Sequence, residues 1–281
     1  MSDKKTAIVT GASGGIGAGL VEGFLKEGYN VVATSLDASR SLTVPNMTAS
    51  PGLVPPNLVL VDGDISKQET AAKTVEAAIE RFGTVDVLVN NAGILRTKPF
   101  TDITIEDFNA LVSVNLLGFL YMTQLTVKQM LKQKSGNVVS ITAALADQPI
   151  AGVNASVSMI TKGGLNTVTR SLAIEYAKEG IRFNAVAPGV VDTPLHKDGP
   201  KDSLKTRQPT GKIAAVKDVV DAVLYSVPST GRSSNRRDTS RGWWRTRWLL
   251  VGAWANSFSR VFKNSNTNSR PVGFRALLNG R

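Results

Sequence analysis

The sequence predicts an α/β fold in which one doubly wound parallel sheet lies between two layers of helices. Short β-prone runs alternate with stretches of helical periodicity from Thr6 to Tyr225. Strands that alternate with helices of this length are typical of a three-layer α/β/α architecture with right-handed crossovers. A glycine-rich turn follows the first strand, and polar turns follow later ones. Ligands of such sheets bind beyond the carboxyl ends of the strands, so we expect a binding site there.

The first element is a strand at Thr6–Val9, followed by the turn Thr-Gly-Ala-Ser-Gly-Gly-Ile-Gly and a helical pattern. Gly11 permits the tight turn, Gly15 lets the backbone approach a phosphate, and Gly17 lets the helix pack closely on the strand. The start of the helix offers free N–H groups and a positive dipole end to a pyrophosphate. The turn therefore indicates a Rossmann-type nucleotide site, although by itself an ordinary tight turn explains it equally well.

A second strand, Tyr29–Thr34, closes the β-α-β unit. In dinucleotide folds an acid after this strand binds the adenosine ribose, whereas a basic residue accommodates a 2′-phosphate. Ser35 occupies this position, and its lack of charge weakly favours NADP over NAD. The lack of an adjacent Arg weakens that preference, and Arg40 is a distant candidate for a phosphate contact. The stretch 38–56 is rich in Ser, Thr and Pro and predicts a long loop.

Two further strands end in polar turns. Leu58–Val61 runs into Asp-Gly-Asp-Ile, which places Asp64 at a strand end, and Val87–Val89 runs into Asn-Asn-Ala-Gly at 90–93. A helix from about 68 to 81 connects them. Taken alone, each turn is better explained by turn-forming residues than by a ligand site. Their shared position at strand ends favours a ligand site.

These motifs, in this order, resemble the short-chain dehydrogenase/reductase family in its single-domain form. The family pattern Thr-Gly-x-x-x-Gly-Ile-Gly is followed by Asp64-Ile65, the Asn-Asn-Ala-Gly turn and Val-Asn-Leu around Asn115. The run 180–189, Gly-Ile-Arg-Phe-Asn-Ala-Val-Ala-Pro-Gly, resembles the family's sixth strand and cofactor turn, and Thr193 follows it. The resemblance covers residues 5–225.

The resemblance implies an NAD(P)-dependent oxidoreductase that transfers hydride between nicotinamide and a carbonyl or a secondary alcohol. It implies that Asp64 binds the adenine edge, that the turn after the fourth strand lines the adenosine side, and that Thr193 contacts the nicotinamide carboxamide. The cofactor-binding residues expected in this way are Gly11, Ser13, Gly15, Ile16, Gly17, Ser35, Asp64, Ile65, Asn91, Ala92, Gly93, Lys162, Pro188, Gly189 and Thr193.

The catalytic residues depart from the family pattern. The family uses a Tyr as general acid or base, a Lys four residues later, a Ser that orients the carbonyl and an Asn that holds a water relay. Asn115 and Lys162 match, but Ser158 stands where the Tyr is expected. Thr142 is the expected carbonyl-orienting hydroxyl, with Ser140 as an alternative inside the fifth strand.

An aliphatic hydroxyl is far less acidic than a phenol and shorter, and loss of a general acid typically costs about 10²–10⁴-fold in rate. Tyr121 and Tyr176 belong to two long helices, where packing roles are expected. Two hypotheses follow. Either Ser158, Thr142 or a water held by Asn115 and Lys162 replaces the phenol, or the protein binds cofactor without turnover.

Composition limits the remaining possibilities. The chain has no Cys and one His, which excludes disulfides and makes a metal centre improbable. No signal peptide and no bilayer-spanning run is expected, so we predict a cytoplasmic protein without a membrane or metal partner. His196 lies in a polar stretch, 190–209, that the resemblance identifies as the substrate lid. A solvent-exposed loop position is favoured for it over a catalytic role.

The segment 226–281 differs from the body, 1–225. It contains all four Trp, eleven of the 33 Lys and Arg, and only one of the 22 Asp and Glu. The body therefore has 22 basic and 21 acidic residues, and most of the formal charge of +11 belongs to the tail. The arginines follow no helical or strand period, and we predict an irregular tail that does not bind nucleic acid. Codons can be chosen for residues 235–246 such that the same nucleotide sequence, read one base later, encodes Thr-Gly-Glu-Ile-Leu-His-Val-Asp-Gly-Gly-Ala. This peptide resembles the family's final strand and the turn that follows it.

We therefore interpret the tail as frameshifted, with the last strand of the sheet missing or replaced. Loss of an edge strand would expose its neighbour and remove a surface that family tetramers share, so low stability or aggregation is expected. A homodimer through the helices that carry Asn115 and Lys162 is expected to survive, whereas a tetramer is doubtful.

Overall fold

The computed structural model describes residues 4–42, 54–196, 201–206, 208, 211–227 and 248–251. Its centre is one seven-stranded sheet in the order β3-β2-β1-β4-β5-β6-β7, in which every neighbouring pair is parallel. The predicted α/β fold class is confirmed. The strands are β1 (Thr6–Thr10), β2 (Asn30–Ser35), β3 (Leu58–Asp62), β4 (Val87–Asn90), β5 (Gly136–Ile141), β6 (Ile181–Pro188) and β7 (Trp248–Val251).

Helices cover both faces of the sheet. α1 and α8 pack together with one face, and α3, α5 and part of α6 pack against the other. Because both faces are covered, β1 and β4 are buried at every position, which explains their nearly continuous apolar sequences. The helices are α1 (Gly15–Lys26), α2 (Ala38–Ser41), α3 (Gln68–Phe82), α4 (Ile105–Leu111), α5 (Gly118–Gln133), α6 (Ser156–Glu175), α7 (Lys201–Thr206) and α8 (Val216–Ser226).

The strand order places the carboxyl ends of β1 and β4 next to each other at the point where the winding of the sheet reverses. β2 and β3 extend the sheet to one side of β1, and β5 and β6 extend it to the other side of β4. A crevice opens at such a reversal because the connections on its two sides run in opposite directions. The turns after Thr10 and Asn90 therefore meet at this edge.

The helix that contains Asn115 is long and continuous. α4 and α5 are joined by a π-helical segment, Val112–Leu117, and the stretch Ile105–Gln133 has the length and hydropathy of a membrane span. The expectation that no apolar run reaches that length is wrong, because the π segment continues the helix without a break. α5 packs against β4, β5 and α3, which is typical of a core helix in a soluble protein.

One loop prediction also needs correction. The predicted loop 38–56 begins with the short helix α2, where Ser41 and Leu42 close a turn by donating to the carbonyls of Asp37 and Ala38. Residues 43–53 of that loop lie outside the described residues. At the other end of the described body, α8 begins at Val216, and the Asp218 carboxylate accepts from the Ala215 N–H at 2.8 Å just before it.

The tail contributes a strand to the sheet, contrary to the prediction that it is irregular. The backbone of β7 pairs in parallel with β6, in the register Ala185 to Trp248 through Pro188 to Val251. The edge of β6 presents a row of N–H and C=O groups, and a run rich in β-prone residues can satisfy them. The last strand is therefore replaced rather than missing. The rest of the tail, including the run 235–246 that suggested a frameshift, lies outside the described residues.

Candidate functional site

The glycine turn after β1 is held to the turn after β4 by hydrogen bonds centred on Asn91. The Asn91 side-chain amide donates to the carbonyls of Thr10 and Gly11, at 2.9 and 3.1 Å. In return, the Thr10 hydroxyl accepts from the backbone N–H groups of Asn91 and Ala92, both at 3.0 Å. These bonds orient Asn91 toward the protein, so its side chain shapes the turn that would bind a cofactor.

Three glycines in this turn have different surroundings. A Cβ on Gly17 would overlap the carbonyl oxygen of Gly11, and a Cβ on Gly11 would lie 2.8 Å from the Ala92 Cα. Gly14, in contrast, has no atom within 4 Å of such a Cβ. The turn is therefore packed tightly on its protein side and open at Gly14, just before the first N–H groups of α1. An open N-terminus of this kind fits a diphosphate.

Gly15 and Ser13 complete this turn. Gly15 adopts a φ of +52°, a conformation that favours glycine, and a Cβ there would lie 3.3 Å from the side chain of Thr193. Ser13 and Ile16 are half-buried on either side of it. The structure thus brings the predicted nicotinamide residue, Thr193, next to the predicted phosphate turn, as a single extended cofactor requires.

The end of β2 presents a polar cluster. The hydroxyl oxygen of Ser35 is buried and has no hydrogen-bond partner among the described residues. Beside it in the sheet register, the Asp62 carboxylate accepts from the N–H of Ser39 at 2.8 Å and from its hydroxyl at 2.5 Å. These bonds, with a smaller contribution from the Arg40 charge, lower the pKa of Asp62. An unsatisfied hydroxyl at this strand end fits a ribose-binding position.

The other predicted cofactor residues line the same edge. The Asp64 carboxylate accepts from the Ser66 N–H at 2.9 Å, and Ile65 packs against Gly118 at the start of α5. Pro188 ends β6, and Gly189 lies so close to the Gln208 side chain that a Cβ on it would overlap the Gln208 amide oxygen. Gln208 is buried, with 4% of its surface exposed, and was not predicted as a site residue.

Asn115 lies in the π-helical segment, which is a frequent irregularity at functional sites. Its amide oxygen accepts from the Ile94 N–H at 2.8 Å, and its amide nitrogen donates to the Ile94 carbonyl at 3.1 Å and to the Thr161 hydroxyl at 2.9 Å. These three bonds connect the loop after β4 to α6. The Asn115 side chain is thus fully engaged within the protein.

Lys162 extends from α6 toward the carboxyl ends of β4 and β5. Its ammonium donates to the Ile141 carbonyl at 2.9 Å, and a Cβ on Gly93 would lie 3.1 Å from its Nζ. Desolvation lowers the pKa of Lys162 from 10.5 to about 8. The structure therefore places this cation beside Gly93 and Asn115, at the edge where the cofactor turns converge.

Ser158 and Thr142 are both buried, with 0% and 4% of their surfaces exposed. The Ser158 hydroxyl accepts from the Arg96 N–H at 2.8 Å and donates to the Arg96 carbonyl at 2.9 Å. The Thr142 hydroxyl donates to the Val186 carbonyl at 3.4 Å, and the alternative, Ser140, is buried within β5. The Ser158 hydroxyl proton is therefore committed within the protein, whereas the Thr142 hydroxyl is held by one long bond.

The sequence did not single out Arg96 or Thr161 as partners of the site. Both form hydrogen bonds with predicted site residues. The Arg96 N–H donates to the Ser158 hydroxyl, and the Thr161 hydroxyl accepts from the Asn115 amide. Thr161 lies next to Lys162 and three residues after Ser158, so its spacing could have indicated it, whereas a backbone partner leaves no such signal. Tyr121 and Tyr176 pack against the core on the α5 side, as expected, and the His196 side chain lies outside the described residues.

Comparison with known proteins agrees with this architecture. The family model described as short chain dehydrogenase matches residues 5–203. The acetoacetyl-CoA reductase of an Acinetobacter species is 34% identical over 235 residues, which is 82% of this chain and 93% of the relative.

Solved structures support the same fold and cofactor class. ElxO with NADP bound is 27% identical with a TM-score of 0.77, and a 3-ketoacyl-(acyl-carrier-protein) reductase from Brucella melitensis complexed with NADH is 28% identical with the same score. Each match covers 90% of this chain and 99% of the other. These proteins carry cofactor or are named as reductases, so the comparisons give no support to a binding protein without turnover.

Proposed function

Since this chain belongs to the short-chain dehydrogenase family and is an NAD(P)-dependent oxidoreductase, we propose that its substrate carbonyl or alcohol binds beside Gly93 at the carboxyl edge of the sheet. The contacts around Gly93 carry this proposal. The Nζ of Lys162 and the amide oxygen of Asn115 both lie within about 3.2 Å of a Cβ built at Gly93. A donor and a fixed amide are therefore concentrated beside the cofactor turns.

The residues have distinct roles in this proposal. The turn from Gly11 to Gly17 binds the diphosphate through backbone N–H groups, and Asn91 and Ala92 hold that turn in place. Asp64 and Ile65 contact the adenine, while Pro188, Gly189 and Thr193 contact the nicotinamide. Lys162 donates to the nicotinamide ribose, and Asn115 holds the loop that contains Gly93. When bound, the cofactor supplies or accepts the hydride.

We propose NADP as the preferred cofactor. β2 ends at the uncharged Ser35, and the positive charge of Arg40 acts on the neighbouring Asp62 carboxylate. A carboxylate at Ser35 would accept hydrogen bonds from two ribose hydroxyls and would repel a 2′-phosphate. Cofactor choice is therefore decided at this strand end.

We expect the purified chain to oxidise NADPH in the presence of acetoacetyl-CoA or simple ketones, and Ser35→Asp to shift its preference toward NADH. A carboxylate about 4 Å from a phosphate costs about 1–2 kcal/mol in a solvated site, so the ratio of the two dissociation constants should change by about tenfold. Fluorescence titration of both cofactors measures this ratio independently of the substrate.

Ser35→Ala is the matched control, because it removes the hydroxyl without adding charge. It should leave the ratio of NADPH to NADH affinity nearly unchanged. Absence of binding of either cofactor by folded wild-type protein would contradict the proposed function. An unchanged ratio in Ser35→Asp would contradict the assignment of the strand end.

We further propose a homodimer through α5 and α6. Leu120 on α5 and Ile160 on α6 are 41% and 55% exposed, and Ile105 on α4 is 63% exposed. α4, α5 and α6 each contact the π segment, and exposed large apolar side chains on neighbouring helices are typical of a surface covered by a partner. Multi-angle light scattering should give the dimer mass for the wild type and the monomer mass for Leu120→Lys with Ile160→Lys. Leu36→Lys, at an exposed position near the cofactor site, should remain dimeric.

The same family and fold favour a cytoplasmic enzyme that uses the soluble nicotinamide pool. Fractionation of cells that produce the chain would test this location.

A further inference from the structure

We propose that Lys162 itself exchanges the proton with the substrate oxygen, and that Ser158 is a positioning residue that holds the loop after β4. This inference rests on the proposed function and deepens it, because it assigns the proton transfer that the missing phenol leaves without a donor. The assignment follows from the hydrogen bonds that each polar group at the site already makes.

Ser158 is fully committed to one peptide group. Its single hydroxyl proton is donated to the Arg96 carbonyl at 2.9 Å, and its oxygen accepts from the Arg96 N–H at 2.8 Å. To donate to a substrate, this buried hydroxyl would have to leave the Arg96 carbonyl without a partner. A buried polar group left without a partner is strongly unfavourable. The geometry therefore favours a role in holding the loop through Arg96.

Asn115 and Thr142 are also unsuited to proton transfer. A carboxamide does not titrate, and the Asn115 nitrogen already donates to Ile94 and Thr161. The Thr142 hydroxyl is an aliphatic alcohol that points at the Val186 carbonyl, although the 3.4 Å distance makes this bond weak. Thr142 can therefore turn to orient a substrate oxygen more readily than it can act as an acid.

Lys162 remains as the group that has free N–H donors and can also release a proton. An ammonium has three N–H donors, and among the described residues one of them is engaged, by the Ile141 carbonyl. Two donors are left, which suffices for a ribose hydroxyl and a substrate oxygen. The side chain is half-buried, but its ammonium is enclosed between the end of β5, Gly93 and α6.

The surroundings of Lys162 determine the direction in which its pKa shifts. The groups that face its Nζ are the Ile141 carbonyl from β5, Gly93 from the turn after β4 and the Asn115 amide from the π segment. In the described part of the chain, no carboxylate or second cation contributes to its pKa. Desolvation alone lowers that pKa to about 8. A proton donor with a pKa close to the working pH is the most effective one.

The proton and electron balance of the reduction is simple. The carbonyl carbon gains a hydride from the reduced nicotinamide, and the π electron pair of the C=O bond moves to oxygen. The oxygen then takes a proton from Lys162, so an N–H bond breaks and an O–H bond forms. The neutral amine regains its proton from water. In the oxidation direction, the neutral amine accepts the alcohol proton.

The test compares Lys162→Arg with Lys128→Arg, the same substitution at an exposed position on α5. An Arg keeps the positive charge but cannot release its proton near neutral pH. We expect Lys162→Arg to lower the reduction rate by about 10²–10⁴-fold, the cost of losing a general acid, while cofactor affinity changes much less. Lys128→Arg should change neither. Lys162→Met should lose both activity and cofactor affinity.

A second measurement follows the titration of Lys162 without substrate or cofactor. NMR of protein with ¹³C-labelled lysine should show a Cε resonance that titrates near pH 8 and disappears in Lys162→Arg. The wild-type rate of reduction should fall above that pH, because the acid must be protonated, and the rate of oxidation should rise. In Ser158→Ala the protein should be less stable and less active, but the midpoint of the pH profile should stay in place.

The possible failures can be distinguished. If Lys162→Arg keeps the wild-type rate, or if Ser158→Ala removes the pH dependence while the protein stays folded, another group transfers the proton and the inference is overturned. If the wild type binds cofactor but reduces no carbonyl compound, the proposed function itself fails, and with it this assignment.

Discussion

Gly17→Ala should unfold or severely weaken the protein, whereas Gly14→Ala, three residues away in the same turn, should be tolerated. A Cβ at position 17 would overlap the Gly11 carbonyl oxygen and would lie 2.8 Å from both the Gly11 carbonyl carbon and the Asn91 amide nitrogen. Overpacking costs about 1–3 kcal/mol where flexible side chains can move, and more where the neighbour is backbone. We expect a loss of at least about 3 kcal/mol in the free energy of unfolding.

Gly14→Ala tests whether this effect is steric. Gly14 has extended backbone with a φ of −166°, which any residue adopts, and no atom lies within 4 Å of a Cβ there. Urea unfolding of the two variants should therefore differ by several kcal/mol, and cofactor titration should show lost affinity for Gly17→Ala. Equal unfolding midpoints would show that the contact between α1 and the turn after β1 is not as tight as the structure indicates.

Asn115→Ala is expected to destabilise the protein by about 2–5 kcal/mol, because it removes all three hydrogen bonds between the π segment, Ile94 and Thr161. Each buried polar group left without a partner costs about 1–3 kcal/mol. The loop from Gly93 to Arg96 would lose the attachment that Asn115 provides, whereas Arg96 would keep its bonds to Ser158 and its ion pair with Asp107. Activity should therefore fall further than stability alone explains.

The matched control is Asn109→Ala, at an exposed position on α4 of the same continuous helix. It should change the free energy of unfolding by less than about 0.5 kcal/mol, as most surface substitutions do. Asn115→Asp keeps an acceptor for the Ile94 N–H but loses both donors. Its free energy of unfolding should therefore lie between those of Asn115→Ala and Asn109→Ala. A wild-type melting temperature for Asn115→Ala would contradict the proposed role of this side chain in holding the loop.

The order of the elements could be predicted because each strand and helix has a local pattern. The turn after Thr10 combines glycines with a preceding β-prone run, and the Asn-Asn-Ala-Gly turn follows a buried strand. Parallel topology then dictates that both turns lie at the same edge of the sheet. The meeting of Gly11 with Asn91, 80 residues apart, thus follows from pattern and topology together.

The partners of the catalytic positions could not be predicted, because they are backbone groups or depend on helix geometry. Nothing in the residue Arg96 indicates that its peptide group binds Ser158, and the π segment that turns Asn115 toward Ile94 has no reliable sequence signal. The sequence also left open whether the edge strand is missing or replaced, and the structure shows that it is replaced. The short apolar run Trp248–Val251 gains its structure from the edge of β6, which exists only in the folded sheet.

The sequence by itself determined the class of fold, the positions of the strand-end turns and the replacement of the expected Tyr by Ser158, since these are properties of local pattern and residue identity. The tertiary structure decided which hydroxyls are already engaged, which ammonium is desolvated and which segment completes the sheet. Burial and hydrogen-bond pairing depend on residues distant in the chain, so only the folded protein shows which polar groups remain available for chemistry.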